Sequence, residues 1–248
     1  MAFHYSPKVV TDGLILYLDA ANARSFSIGS SVWNDISKIG NGITGLLKNT
    51  ATYSSVNIGT LTFDGIDFAS GSYIDLGTPT LLDISGNVSV SVWHKLITPP
   101  SPQAPYDTLY ANGSATQGRG AIVYYAGTVP GVGGILPNKY TWWQNGSGGD
   151  IKSTSLTYSV GEWRNITVTR SGSTGNWAIN FYINGNLDSS HTTTSNPGTN
   201  QATSVGRFGG YNGNHFSGNI SNVKVYNKEL SASEVLQNFN VLKARYIS

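Results

Sequence analysis

The clearest structural pattern in the 248-residue chain is Val88-Ser89-Val90-Ser91-Val92-Trp93-His94-Lys95-Leu96. Valine and serine alternate in it, and successive side chains of a β-strand point to opposite faces of the sheet. Residues 164–170 and 177–183 repeat the alternation, with isoleucine, valine and phenylalanine on one face. A period of two with one polar face is typical of antiparallel sheets that have one face on the core and one in water.

Similar segments, bounded by Gly, Asn, Asp and Ser, occur along the whole chain and predict an all-β sandwich or barrel. Asn184-Gly185 predicts a tight hairpin, because both residues tolerate the positive φ of a type I′ turn. One short helix is predicted at 231–240, where Ser231 is a good N-cap and Glu234 completes a capping box. The predicted strands are residues 14–18, 60–63, 73–76, 88–96, 107–111, 121–125, 140–144, 164–169, 177–183, 203–208 and 218–226.

The composition limits the classes of function. The formal charge is only +2 and no cluster of Lys and Arg forms a stripe, which argues against a nucleic-acid partner. No apolar run is long enough for membrane insertion, and residues 1–8 contain no apolar core of a secretory signal. The absence of cysteine rules out disulfides and thiolate metal sites. The strand pattern continues without a change of composition, which predicts an N-terminal extension at 1–12 and a single domain at 13–248.

Several separated segments resemble the laminin-G-like and concanavalin A-like lectin-glucanase superfamily, and they follow the expected order over nearly the whole chain. The resemblance implies a jelly-roll β-sandwich of two antiparallel sheets with at least ten strands and a short C-terminal helix. In this family the opening and closing strands pair, so the two termini are expected to lie close together. The matching segments are GLILYLDA at 13–20, WNDIS at 33–37, LTFDG at 61–65 with YI at 73–74, VSVSVW at 88–93, EWRNITVT at 162–169, FYING at 181–185, FSGNI at 216–220 and VKVYNKELSASEV at 223–235.

The stretch LYLDAAN at 16–22 is similar to forms of this superfamily in structural proteins of tailed bacteriophages, and the lack of a secretory signal agrees with that likeness. It implies a protein of the virion surface, extracellular once particles are released. The implied partners are glycans or cell-surface polysaccharides and other virion structural proteins, with a homo-oligomer left open. Fold membership alone does not decide function, because lectins, glycosidases and structural modules share this architecture.

The resemblance makes glycoside hydrolysis the enzyme activity to consider. Hydrolysis needs two carboxyl groups flanking the bond, and the hydrolases of the superfamily carry them on a Glu-x-Asp-x-x-Glu strand. The chain has three glutamates, Glu162, Glu229 and Glu234, and none lies in such a strand. The four histidines show no metal spacing, and His94 is expected to be a packed or surface residue rather than a base. No catalytic residue is predicted, and the chain is expected not to be an enzyme.

Calcium is the one cofactor that the resemblance implies as a candidate, because many relatives hold it through Asp, Asn and backbone oxygens at the sandwich rim. Asp19, Asp64 and Asp67 have suitable chemistry for a metal site. The chain has no dense Asp-x-Asp-x-Asp loop, and Asp is also favoured in turns for local hydrogen bonding. Turn roles are therefore the preferred interpretation of these residues.

Two groups of residues are candidates for carbohydrate binding. Trp142 and Trp143 are adjacent on a predicted strand, so one ring is expected in the core and the other on an outer face, where it could stack on a sugar. The alternative is that a loop covers the outward ring, with 127–137 as the obvious lid. The second group lies in the Gly-rich loop 207–215, whose polar side chains suit sugar hydroxyls although Gly and Asn also suit an ordinary hairpin loop. Its members are Arg207, Tyr211, Asn212, Asn214 and His215.

Three functions follow, in order of support. The first is a non-enzymatic module on a phage particle, as a decoration or a fibre, that recognises glycans through a sheet or loop surface. The second is a purely structural capsid or tail subunit whose exposed aromatic residues pack against neighbouring proteins, since an exposed apolar patch fits either role. A glycoside hydrolase is the least supported.

Overall fold

The computed structural model describes residues 8–39, 42–55, 58–66, 70–98, 106–113, 117–125, 139–145, 151, 153–154, 160–209 and 214–247. None of the helical segments in these ranges is both long and apolar enough to span a bilayer. The strands are β1 (Leu14–Asp19), β2 (Val32–Asn34), β3 (Thr44–Lys48), β4 (Thr52–Ser54), β5 (Thr60–Asp64), β6 (Tyr73–Gly77), β7 (Val88–Leu96), β8 (Tyr106–Gly113), β9 (Gly118–Tyr125), β10 (Lys139–Trp143), β11 (Trp163–Ser173), β12 (Asn176–Ile183), β13 (Asn186–Thr193), β14 (Thr203–Val205) and β15 (Ser217–Tyr226). Helix α1 spans Ala232–Tyr246, and a 3₁₀ turn spans Thr80–Leu82.

The described strands pair into two antiparallel sheets. Sheet A has eight strands in the order β13-β12-β11-β7-β15-β5-β4, with β1 beside the second half of β15. Sheet B has seven strands in the order β10-β9-β8-β14-β6-β3-β2. Leu14 of β1 lies opposite Tyr226 of β15, so the predicted pairing of the opening and closing strands is confirmed. The predicted all-β sandwich with a C-terminal helix is confirmed as well.

The core lies between the sheets, where the apolar faces of the strands meet. Val88, Val90 and Val92 of β7 point into it, as their alternation predicts, and they belong to one buried cluster with Trp33 and Phe181. Full burial of an aliphatic or Phe side chain is worth about 1.5–3 kcal/mol. The residues that alternate in the sequence therefore supply much of the free energy that holds the two sheets together.

Arg170 of β11 joins the two sheets at one end of the core. Its guanidinium is buried and donates to the carbonyl oxygens of Ile84 at 2.7 Å, Gly86 at 2.7 Å, and Arg119 on β9 of sheet B. The ring of Trp177 lies 5.3 Å from the guanidinium carbon. Burial lowers the pKa of Arg170 to about 9. Hydrogen bonds to carbonyl oxygens offset the cost of burying this cation.

Two local features form as the sequence predicts. Asn184 and Gly185 have φ angles of 49° and 81° and join β12 to β13 in a two-residue turn. The hydroxyl of Ser231 accepts a hydrogen bond from the backbone N–H of Glu234, whose carboxylate accepts one from the N–H of Ser231, so the capping box is present. The helix extends to Tyr246 rather than to residue 240, because its buried face continues to that residue.

The outer face of sheet A at β7 and β11 is not open to water, and for these two strands the prediction of a solvent-exposed polar face was wrong. Helix α1 lies on it, and Trp93 of β7 stacks on the helix rings Phe239 at 5.5 Å and Tyr246 at 4.2 Å. Beside Trp93 on the same face, Ser91 and Asn165 are buried and hydrogen-bonded to each other at 3.0 Å. Polar side chains tolerate burial when they find such partners.

The residues before β1 also pack on the sandwich. The backbone N–H of Val10 donates to Asn238 of α1 at 2.9 Å, and the hydroxyl of Tyr226 donates to the carbonyl of Val10 at 3.1 Å. The described part of the predicted extension, residues 8–12, is therefore tied to the helix and to β15.

Candidate functional site

Trp142 and Trp143 lie on β10 and point to opposite faces of sheet B, as their adjacency predicts. Trp142 is buried in the core, where its Nε1 donates to Oε1 of Gln144 at 2.8 Å. Trp143 faces outward and is half-buried, and its Nε1 donates to the hydroxyl of Thr141 at 2.8 Å. Trp143 is therefore the member of the pair that can contact a ligand, and Trp142 is a core residue.

Two further aromatic rings accompany Trp143 on the outer face of sheet B. Tyr106 of β8 lies edge-to-face with it at 5.9 Å, and Phe208 lies edge-to-face with it at 6.4 Å. Such edge-to-face pairs favour one orientation of the rings. Phe208 belongs to the loop 207–215, so the loop that carries the second candidate group contacts Trp143. We refer to Tyr106, Trp143 and Phe208 as the Trp143 face.

Phe208 also shows how far a loop covers the outward tryptophan. Its ring is buried in a cluster with Ala111 and Ala121, and these two small residues lie in register with Trp143 across β8, β9 and β10. The loop fills the space above the two alanines and leaves Trp143 partly open. The segment 127–137, predicted as a lid, lies outside the described residues.

A second group of side chains lies on the same face of sheet B. The guanidinium carbon of Arg207 is 3.4 Å from the ring centroid of Tyr73 on β6, and the buried ring of His215 lies 6.1 Å from that of Tyr73. A Cβ atom at Gly71 would approach His215 to 2.6 Å, so the absence of a side chain there lets the ring pack. We refer to Tyr73, Arg207 and His215 as the Arg207 cluster. Half-buried Arg207 and Tyr73 can meet a ligand, whereas His215 supports them from behind.

The remaining predicted loop residues have no ligand-facing role that the structure describes. Asn214 adopts a φ of 58°, and its carbonyl accepts a hydrogen bond from the N–H of Thr108 at 3.2 Å, so it shapes the return of the loop. Tyr211 and Asn212 lie outside the described residues and stay predictions.

Asp19 does not have the surroundings of a calcium ligand. Its buried carboxylate accepts hydrogen bonds from Arg245 at 2.8 Å, from the N–H of Ala21 at 3.1 Å and from the hydroxyl of Tyr17 at 3.2 Å. The guanidinium already neutralises the carboxylate, and it would repel a second cation at this distance. Asp19 therefore serves a turn and an ion pair.

The carboxylate of Asp64 is engaged in hydrogen bonds within a turn. Its Oδ1 accepts from the N–H groups of Ile66 at 3.1 Å and Ser72 at 3.0 Å, and the hydroxyl of Thr50 donates to Oδ2. Burial by itself raises the pKa of this carboxyl, but the hydrogen bonds from Thr50, Ser72 and Ile66 outweigh burial and hold the pKa below its usual value. Asp67 lies outside the described residues. Within the described ranges, no three His, Asp or Glu side chains are grouped so as to hold a metal ion.

The glutamates and His94 have structural contacts. Glu234 belongs to the capping box, Glu229 accepts from Asn180 at 3.4 Å, and Glu162 lies 3.5 Å from Arg164. His94 is packed in the core beside the hydroxyl of Tyr140 at 2.9 Å, and burial lowers its pKa to about 3, so it is neutral at physiological pH.

The β12–β13 hairpin, the closing strand β15 and the start of helix α1 lie within a segment that matches a known protein family. The model of the concanavalin A-like lectin/glucanases superfamily, of the laminin-G type, matches residues 68–236. The chain belongs to this superfamily. No curated protein is a significant match to the sequence.

Solved structures share the superfamily fold at low sequence identity. The binding domain of botulinum neurotoxin serotype D/C has a TM-score of 0.63 and 15% identity, over 93% of this chain and 52% of its own. The binding domain of botulinum neurotoxin DC in complex with SialylT has a TM-score of 0.63 and 16% identity, over 94% and 52%. Domain 4 of an extracellular GH43 arabinanase from Geobacillus stearothermophilus, in complex with arabinotriose, has a TM-score of 0.63 and 19% identity, over 92% and 99%. The chain spans about half the length of the toxin domains, and these identities show the fold alone.

Three aromatic residues of the candidate site are missing from the sequence prediction. Tyr106 and Tyr73 begin strands β8 and β6, and their outward direction follows from the alternation of those strands. Phe208 lies inside the loop that the sequence singles out, but it is not a polar residue of the kind sought there. The alternation pattern thus contains a signal for Tyr106 and Tyr73, whereas no sequence signal marks Phe208.

Proposed function

We propose that the chain is a non-enzymatic glycan-binding module whose ligand lies on the outer face of sheet B. The observation that carries the proposal is the half-buried ring of Trp143, held between Tyr106 and Phe208. Its indole N–H is already bonded to Thr141, so the ring presents mainly an apolar surface. Such a surface suits the C–H face of a sugar, and polar groups nearby then set its orientation.

The Arg207 cluster supplies polar groups for the same ligand. β10 and β6 are separated by β9, β8 and β14, so Trp143 and Tyr73 are four strand spacings apart, about 19 Å at roughly 4.8 Å each. This distance suits an oligosaccharide of a few units rather than a single sugar. A guanidinium and a phenol at the far end can bind its hydroxyl groups.

The structural neighbours support the sugar ligand by analogy. The arabinanase domain, which covers its whole length in the comparison, is a complex with arabinotriose, and one toxin binding domain is a complex with SialylT. We extend saccharide binding from those proteins to this chain as part of the proposal.

Trp143→Ala tests the proposed site. The variant should stay folded and bind an array of oligosaccharides at least tenfold more weakly, a loss of about 1.4 kcal/mol. Tyr53→Ala is the matched control, because Tyr53 is a half-buried aromatic residue on β4 of sheet A. The control should lose some thermal stability and keep its binding. Equal binding by both variants and the native protein would refute the Trp143 face as the site.

We further propose that the module acts on the surface of a tailed-phage particle, as the resemblance of residues 16–22 implies. Antibodies raised against the domain should then label such particles in electron micrographs. A purely structural decoration subunit is the second candidate, because the Trp143 face could equally pack on a neighbouring virion protein. Folded Trp143→Ala protein that binds glycan normally but fails to join particles would favour that second role.

Absence of catalysis is part of the same proposal. Each glutamate has a structural contact, and none lies in the acid-bearing strand of the hydrolases. Purified protein should release no reducing sugar from laminarin, agarose or host polysaccharide, with the arabinanase as a positive control on arabinan. Turnover abolished by a single Asp or Glu substitution would show that a carboxyl pair is at work.

A further inference from the structure

A second cleft lies on the opposite sheet, where β11 begins and α1 ends. The cleft has a volume of about 400 Å³ and is open to solvent on one side. We infer that this cleft is a second saccharide site, with Trp163 as its stacking platform. Residues that line it are Gly161, Glu162, Trp163, Arg164, Asn184 and Tyr246.

The aromatic wall of the cleft is held rigidly. The half-buried ring of Trp163 lies 5.0 Å from that of Tyr246. Tyr246 is fixed in turn, because it stacks on buried Trp93 at 4.2 Å and its hydroxyl contacts Ser221 at 2.9 Å. A platform fixed in this way loses little conformational freedom when a ligand binds.

The ring of Trp163 contacts a charged side chain on the outer face of sheet A. The ammonium group of half-buried Lys95 lies 5.3 Å from the ring centroid. A cation–π contact at a solvent-exposed position is weak. A sugar can therefore displace the ammonium group, which then becomes a hydrogen-bond donor at the edge of the cleft.

The polar groups of the cleft provide both acceptors and donors. The side chain of Glu162 is 56% exposed, and its contact with Arg164 is 3.5 Å, too long for a strong hydrogen bond. Oδ1 of Asn184 accepts from the N–H of Asn165 at 3.0 Å, which leaves the amide N–H groups of Asn184 to face other partners. Neighbouring sugar hydroxyls both donate and accept, so a carboxylate together with an amide suits them.

The inference shares with the proposed function only the premise that the ligand is a saccharide.

The chain has six tryptophans, so labelling with 5-fluorotryptophan gives six ¹⁹F resonances that Trp→Phe variants can assign. Titration with arabinotriose, cellotriose or laminaritriose should shift the Trp163 resonance, and the Trp143 resonance should respond independently.

Glu162→Gln tests the polar side of the cleft without removing its aromatic wall. The variant should raise the trisaccharide concentration that half-shifts Trp163 about tenfold and leave the response of Trp143 unchanged. Glu229→Gln, outside the cleft, should alter neither response. If Trp143 alone responds, the second site is refuted and the proposed function stands. If Trp163 alone responds, the second site stands and the Trp143 face is refuted. If none of the three trisaccharides shifts the Trp163 resonance, the inference is overturned.

Discussion

The outer faces of sheets A and B are each partly covered by another segment of the chain, a helix over sheet A and a loop over sheet B. Over sheet A, helix α1 stacks Phe239 and Tyr246 on Trp93, which is 0% exposed. Over sheet B, a loop packs Phe208 beside Trp143 and leaves that ring half-buried. The helix presents a continuous row of side chains, whereas the described part of the loop places the ring of Phe208 beside Trp143. The role of an outward tryptophan therefore depends on what lies over it.

The covered face of sheet A also holds charged groups that have left water. Lys224 of β15 is buried. Its ammonium group donates a hydrogen bond to Oδ1 of Asn222 and lies 5.0 Å from the ring centroid of Tyr17. Asp19 and Arg245 form their ion pair on the neighbouring strand and the helix. Burying charge costs free energy unless it is paired or neutralised. The helix thus stabilises this face through its aromatic contacts while it keeps a titratable lysine out of solvent.

The largest expected effect comes from comparing Trp93 with Trp143. Trp93→Ala should lower the free energy of unfolding by about 3–5 kcal/mol, because it removes a fully buried ring from a stack of three. Trp143→Ala should cost only about 1–2 kcal/mol, because the ring is half-buried with two edge-to-face contacts. Urea denaturation monitored by circular dichroism measures both, with Trp142→Ala as a core control at the level of Trp93. Equal costs for Trp93 and Trp143 would erase the difference between the faces.

The next effect concerns Lys224. Burial lowers the pKa of Lys224 from 10.5 to about 7. Between these values the unfolded chain binds more protons than the folded chain, so the free energy of unfolding rises with pH, by at most about 1.4 kcal/mol per unit. Relative to Lys224→Met, the native protein should gain about 2–3 kcal/mol between pH 7 and pH 9.5.

The pH window for that comparison ends near 9.5 because burial raises the pKa of Tyr17 and Tyr226. Their unfolded phenols ionise near pH 10 and reduce stability above it. Urea unfolding of both proteins at several pH values gives the two slopes. Parallel slopes would mean that Lys224 remains fully charged in the folded chain. Lys243→Met, on the exposed side of α1, is the control and should follow the native slope.

The smallest effect concerns the start of the helix. Ser231→Ala removes one half of the capping box and should lower the free energy of unfolding by about 1 kcal/mol. Ser190→Ala is the control, because Ser190 is an exposed serine on the edge strand β13, away from the helix cap, and its loss should change stability very little. Saccharide binding at the Trp143 face should be the same in both, since that face lies on the other sheet. If saccharide binding is weaker in Ser231→Ala alone, the stability of helix α1 on sheet A is coupled to binding at the Trp143 face on sheet B.

Much of the fold could be predicted from local patterns, and the omissions have physical causes. All of the predicted strands overlap observed ones, whereas β2, β3, β4 and β13 were missed. β2 and β4 have three residues each, too few to show a period of two. β13 has the sequence NLDSSHTT at the edge of sheet A, and its side chains are largely exposed, so no apolar alternation marks it.

The candidate site could be predicted only in part, because its members come from distant segments. Adjacency on a strand shows that Trp142 and Trp143 diverge, but the meeting of Trp143 with Tyr106 and Phe208 depends on the order of strands in sheet B. The stacking of Arg207 on Tyr73 likewise joins a loop to a strand more than a hundred residues earlier. Sequence patterns within a few residues carry no record of these contacts.

The sequence by itself determined the features that nearest neighbours control: the alternating strand faces, the Asn184-Gly185 turn and the capping box at Ser231. These depend on backbone torsions and hydrogen bonds between residues at most a few positions apart. Only the tertiary structure decided that α1 covers sheet A, that Arg245 neutralises Asp19 and that Trp143 rather than Trp142 remains partly open. Burial and charge pairing join residues far apart in the chain, so they are set by the packing of the whole molecule.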